Sequence, residues 1–209
     1  MYQDIDRYWH TLIDTMRTMT TDPIARIASE LHACYERGGT VFVLGNGGSA
    51  ATASHFACDL AKGTRAGGGP TFRVLSLTDN VPMLTAWAND VDYDCALAEQ
   101  LASFISPEDL VVAISASGNS PNVLNAVEKS RAAGAVTVGL TGMGGGRLTN
   151  LVHLALKVPS DSIEQVEDVH VIVTHSVCVA LRNRIHAQRT NGALRMPVPA
   201  VELVSGQVT

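Results

Sequence analysis

Hydrophobic positions follow two alternating patterns along this chain. From Asp4 to about Arg37 they recur at helical spacing, first as Ile5, Trp9, Leu12, Ile13 and Met16, then as Ile24, Ile27, Leu31 and Cys34. Pro23 follows Thr20, Thr21 and Asp22, and proline suits the first turn of a helix, so the spacing predicts two helices here. The stripe on the first must be covered by the rest of the domain or by a second subunit. After Gly38-Gly39 the run 40–44 is apolar on both faces, as in a central parallel strand. Similar runs at 72–77, 110–114, 136–140 and 152–158 complete five strands.

Segments of helical length and pattern lie between most strands, at 49–62, 84–104 and 120–133, and a last helix spans about 163–189. Strands alternating with helices imply right-handed crossovers. The expected fold is therefore α/β: a three-layer, doubly wound, five-stranded parallel sheet flanked by helices, with an N-terminal helical extension. Residues 1–189 read as one domain. Residues 190–209, with Pro197 and Pro199 and no clear periodicity, read as a tail or arm.

Composition narrows the picture. At 209 residues and 46% hydrophobic the chain suits one well-buried domain. Charged residues are 17% and there are 18 glycines, which excludes a disordered polyelectrolyte and a collagen-like repeat. A net charge of −5 lacks the basic footprint that a nucleic-acid binder needs. No apolar stretch approaches the ~20 residues that span a bilayer, and the N-terminus lacks the basic start and apolar centre of a signal peptide, so the expected location is the cytoplasm. Cys34, Cys58, Cys95 and Cys178 form no CxxC pair and read as reduced, mostly buried thiols.

The candidate chemistry starts at two strand ends. The first strand runs into Gly45-Asn46-Gly47-Gly48-Ser49 and then a helix, where inward-turned N–H groups, a hydroxyl and the positive end of a helix dipole suit a phosphate. The plainer alternative is a tight turn with a serine cap. The third strand ends in Ser115-Ala116-Ser117-Gly118-Asn119-Ser120, followed by Pro121 at a helix start, repeating the arrangement. A dinucleotide fold competes poorly, because GxGxxG is absent and no acidic residue ends the second strand.

Polar residues also recur on the helices. His55 and Asp59 stand four apart and project from one helix face. Glu167 and His175, eight apart on the last helix, lie roughly on one face, with His170 between them. Such groups among Val and Ile are costly to bury without partners. His10, His153 and His186 read as structural imidazoles, and His170 as a subunit contact or a support for the site. Gly142 to Gly146 with Arg147 reads as a turn.

The two loops, together with Ala88-Asn89-Asp90 and the pattern from Val166-Glu167-Asp168-Val169-His170 to His175, resemble the sugar isomerase (SIS) domain and, within it, the phosphoheptose isomerase family. The resemblance runs from about Arg7 to Arg184. It implies that Ser49, Ser115, Ser117 and Ser120 bind a sugar phosphate, with Asn46 and Gly47 in the first loop, and that Asp90 and Glu164 contact substrate. It implies an aldose–ketose isomerase working through an enediol, most simply on sedoheptulose 7-phosphate, assembled as a homotetramer with sites at subunit boundaries. Three departures stand out. Ala116 replaces a usual threonine, Asp59 a catalytic glutamate, and Glu167 a glutamine.

Two consequences of the departures stay open. Glu167 could act as the base with His175 as its partner, or His55, Asp59, Glu167 and His175 could together hold a divalent metal such as zinc, as some family members do. The proton carrier is one of Asp59, Glu167 and His175. Two further readings are a non-catalytic SIS module that senses a sugar phosphate or scaffolds another protein, and an isomerase for a different sugar phosphate.

Overall fold

The computed structural model describes residues 1–65 and 70–193. Five strands, β1 (Thr40–Gly45), β2 (Arg73–Ser76), β3 (Leu110–Ile114), β4 (Val136–Thr141) and β5 (Leu154–Lys157), form one parallel sheet in the order β2-β1-β3-β4-β5. Alternation along the strands divides the core. Val41, Val43, Leu110, Val112 and Ile114 face α2 (Asp22–Glu36), α3 (Gly48–Cys58) and α8 (Ile163–Ala193). Phe42, Leu44, Val111 and Ala113 face α5 (Ala96–Ala102), α6 (Pro121–Ala132) and α7 (Leu148–Leu151). Each large side chain fully buried this way, such as Leu31 or Phe42, is worth about 2 kcal/mol.

The helical extension is α1 (Tyr2–Thr18). Its apolar residues divide: Leu12 is buried and Tyr8 and Met16 pack on the core, whereas Tyr2, Ile5, Trp9 and Ile13 are exposed. The Tyr8 hydroxyl donates to Asp168 of α8 at 2.6 Å, fixing how α1 lies. Among the described residues, no helix is long and apolar enough to cross a membrane.

Several boundaries differ from the sequence reading. The helix expected over 84–104 is broken into α4 (Val81–Asp90), a 3-10 turn (Tyr93–Cys95) and α5. Asn80 caps the start of α4 by accepting the Met83 N–H, and at the break Asp92 accepts the Asp94 N–H, so a local side-chain bond outcompetes helix continuation there. The run 152–158 keeps only four strand residues, with α7 just before them. The last helix continues four residues past the expected end to Ala193, and Thr190 folds its hydroxyl back to the His186 carbonyl. The remainder of the expected tail, 194–209, lies outside the described residues.

Strand order reverses direction at β1, between β2 and β3. In open α/β sheets the crevice beyond the carboxyl ends of the strands at such a point is where ligands bind. The loops after β1 and β3 meet there.

Candidate active site

Gly45 to Ser49 leaves β1 through a turn that only glycine supports at Gly47, where φ is +55°. α3 begins at Gly48, placing Ser49 in its first turn, 5% exposed. The second loop is tightened by its own hydroxyls. Ser115 Oγ accepts the Gly118 N–H at 3.2 Å and lies 3.4 Å from Ser120 Oγ, and Ser117 Oγ accepts the Asn119 N–H at 3.2 Å. Gly118, with φ +65°, is pressed against the backbone of Gly145 and Gly146, so the loop after β4 buttresses the cradle. The expected turn at Gly142 to Gly146 therefore does more than reverse the chain.

Asn46, Ser49, Ser115, Ser117, Ser120 and Glu167 line one cavity of about 200 Å³. Hydroxyls and helix N-termini at its walls suit an oxyanion, while the lining includes no cation and one carboxylate. Glu167 has no hydrogen-bond or ion-pair partner among the described residues; its carboxylate lies over Gly48, where any Cβ would collide with it. Glycine at 48 is therefore what admits Glu167 to the cavity. Ile163, exposed at the start of α8, stands at the same cavity.

A second group forms where α3 and α8 pack together. His55 Nε2 lies 3.6 Å and His175 Nε2 3.5 Å from Asp59 Oδ2, and the two imidazole nitrogens are 3.3 Å apart. Asp59 opens a π-helical turn, Asp59–Gly63, that the spacing gave no sign of; such local widening of a helix recurs at functional sites. Cys178 lies near this group with its thiol pushed up to about 12, first by burial and then by the Asp59 charge.

These three side chains could hold a metal ion. Four-coordinate zinc with bonds of about 2.0–2.1 Å requires donors about 3.3–3.4 Å apart, close to the spacing seen, and two imidazoles with a carboxylate are a usual donor set. Glu167, expected as a fourth ligand, does not join them. Eight residues of helix separate it from His175 by about 12 Å of rise, and each meets a different end of α3.

Other expected site residues lie elsewhere. Gly47 shapes the first loop but does not line the cavity. Asp90 ends α4, bonded to Asn89, and Glu164 is exposed in the first turn of α8. Its own backbone N–H, then the Ser162 hydroxyl, hold the Glu164 carboxyl below its usual range. His170 is buried in the core against the Thr141 carbonyl, His153 bonds Thr137, and His186 faces the Arg65 carbonyl. Residues the sequence reading missed include Asn122 and Tyr93, both bonded to Asn46. The one signal for Asn122 was an amide in a helix turn that must be buried.

The SIS domain family profile matches residues 6–142. The phosphoheptose isomerase of Desulfovibrio desulfuricans is 38% identical over 176 residues, 84% of this chain and 81% of that protein. The chain belongs to the SIS-domain phosphoheptose isomerase family. The phosphoheptose isomerase of Rhodospirillum rubrum is 39% identical over 155 residues, covering 74% of this chain and 82% of its own. Among solved structures, that of a phosphoheptose isomerase from Francisella tularensis superposes with a TM-score of 0.82 at 30% identity, over 87% of this chain and 98% of that one. For the phosphoheptose isomerase of Neisseria gonorrhoeae the values are 0.81 and 26%, with the same coverage.

Proposed function

We propose that this protein is a sugar-phosphate aldose–ketose isomerase that converts sedoheptulose 7-phosphate to a heptose 7-phosphate aldose. One observation carries the mechanism: Glu167, a carboxylate without a partner, lines the same cavity as the serine hydroxyls. The phosphate group binds Ser49, Ser115, Ser117 and Ser120 and the N–H groups at the starts of α3 and α6. With the phosphate held, the Glu167 carboxylate takes a proton from C1 of the ketose while O2 gains one, leaving an enediol; after exchange with solvent it delivers a proton to C2 as O1 loses one, giving the aldose. Asp59 is bracketed by His55 and His175 and is less free for that task.

His55, Asp59 and His175 would hold a divalent metal, zinc by their donor chemistry. Such an ion, when bound, polarises an oxygen of the sugar. Asp90 and Glu164 would contact sugar hydroxyls, in this chain's own site or in a neighbour's. The exposed Tyr2, Ile5, Trp9 and Ile13 stripe supports a homotetramer, because water-exposed apolar stripes of this kind are normally covered. A chain acting on a phosphorylated sugar intermediate in this way works in the cytoplasm.

The test is incubation of metal-analysed protein in D2O with sedoheptulose 7-phosphate and a panel of pentose and hexose phosphates, with products followed by NMR. The expected result is an aldose carrying deuterium at C2. Absence of turnover on every sugar phosphate, with phosphate binding intact, would leave a sensing or scaffolding module instead.

A further inference from the structure

The loops after β1 and β3 are joined by a reciprocal amide pair. Asn46 Nδ2 donates to Asn122 Oδ1 at 2.9 Å, and Asn122 Nδ2 donates to Asn46 Oδ1 at 2.9 Å. Asn122 follows Pro121 in the first turn of α6 and is 1% exposed, so water cannot substitute for its partners. Two further bonds give the pair a direction. The Val123 N–H donates to Asn122 Oδ1 at 3.0 Å, and the Tyr93 hydroxyl donates to Asn46 Oδ1 at 2.8 Å.

A backbone N–H cannot become an acceptor, so Val123 fixes which end of the Asn122 amide is oxygen. Asn122 then fixes which end of Asn46 is oxygen. Both lone pairs of Asn46 Oδ1 are occupied, by Asn122 and Tyr93, and one hydrogen of its Nδ2 is used. Among the described residues, the only polar capacity the Asn46 side chain has left is the second Nδ2 hydrogen, and Asn46 lines the cavity. Turned over, the same side chain would offer a lone pair to an anion.

We infer that Asn122 and Tyr93 are positioning residues that lock Asn46 as a pure donor toward the phosphate. The inference rests on the reading above that phosphate occupies this cavity. The lock matters because the lining has a carboxylate, Glu167, and no cation. Anion affinity therefore depends on how many donors point inward. Tyr93 also extends the lock to the connector after α4. Asn125 Nδ2 donates to the Asp94 carbonyl at 3.0 Å, so the 3-10 turn is bonded both to the first loop and to α6.

The experiment is a cycle of Asn122→Asp, Asn46→Ala and the double variant, with inorganic phosphate titrated by 31P NMR and sugar-phosphate kinetics alongside. Asn122→Asp makes both faces of residue 122 acceptors, so an oxygen opposes Asn46 Oδ1 whichever way its amide lies and nothing holds the donor toward the cavity. Phosphate Kd and substrate KM are expected to rise about tenfold, with kcat within about twofold. In the Asn46→Ala background Asn122→Asp is expected to add nothing, whereas repulsion by the new carboxylate would persist there. Tyr93→Phe, at an exposed ring that tolerates the change, is expected to raise Kd by about two- to threefold in the Asn46 protein and not in Asn46→Ala.

Unchanged phosphate binding in Asn122→Asp and Tyr93→Phe, or effects that multiply with Asn46→Ala, would overturn the inference. Should Asn122→Asp fail to fold, the Tyr93→Phe cycle decides. Because phosphate binding is read without turnover, a protein that binds phosphate through this lock but isomerises no sugar phosphate refutes the proposed activity and leaves the lock standing.

Discussion

Glu167 rests its carboxylate on Gly48, so closely that the glycine's missing side chain is the space the carboxylate occupies. The contact ties the beginning of α8 to the first residue of α3. It also separates Glu167 from the His55–Asp59–His175 group farther along the same pair.

Gly48→Ala should therefore disable the site without unfolding the protein. The methyl meets the far end of a flexible side chain, which can swing away, and alanine is the better helix former. The expected result is a fall in kcat of about tenfold or more, with Tm within about 2 °C of the parent. Steady-state kinetics and thermal unfolding on the same samples check it.

Metal binding and proton transfer should part company on mutation. Asp59→Ala removes one of three converging donors and is expected to abolish stoichiometric zinc after dialysis, whereas Glu167→Ala should retain the metal and lose turnover. Elemental analysis beside activity measurements reads both. Equal metal loss in the two variants would restore Glu167 to the ligand set.

Stability should fall in mild acid through His170. Burial pushes its pKa down to about 4, against a weaker opposing effect from the Thr141 carbonyl, and its Nδ1 is buried without a partner. Unfolded, the imidazole takes a proton near its ordinary value of about 6.5; folded, it resists until about 4. The stabilisation is complete above the unfolded value and is lost as pH drops between the two, on the order of 3 kcal/mol in all. Urea unfolding at pH 7, 5.5 and 4 should show this slope, and His170→Leu should flatten it.

Trp9→Asp is expected to dissociate the proposed homotetramer. Trp9 is 61% exposed at the centre of the α1 stripe, so a charge there costs the isolated chain little and an apolar interface a great deal. Sedimentation velocity should show a shift from tetramer to smaller species. Activity should fall with it if neighbours complete the site.

Ala116→Thr is expected to tighten substrate binding. Ala116 lines the cavity between Ser115 and Ser117, so the added hydroxyl supplies a further donor there. A KM lower by about two- to tenfold corresponds to one ordinary hydrogen bond.

The sheet was legible because its central strands β1 and β3 are apolar on both faces, the pattern of buried parallel strands. The two loops at the strand ends were legible for a related reason: a turn such as Gly45 to Ser49 needs glycine for its backbone geometry, and that residue choice is visible in a string of letters. The break between α4 and α5 was not, because helical periodicity passes through Val91 and Asp92 unchanged and only local cap bonds stop the helix. The π turn at Asp59 likewise leaves no periodic mark.

By itself, the amino-acid sequence determined the fold class, the two loops and the set of polar side chains available for chemistry, since these depend on neighbours within a few residues. How that set divides was decided only by tertiary structure. Glu167 and His175 share a helix face, yet one meets Gly48 and the other meets His55 and Asp59, because α8 packs lengthwise along α3 and brings them to its opposite ends. The bond between Asn46 and Asn122 spans 76 residues. It exists because the order β2-β1-β3 sets the ends of β1 and β3 side by side, a neighbourhood that hydrogen bonding between strands creates.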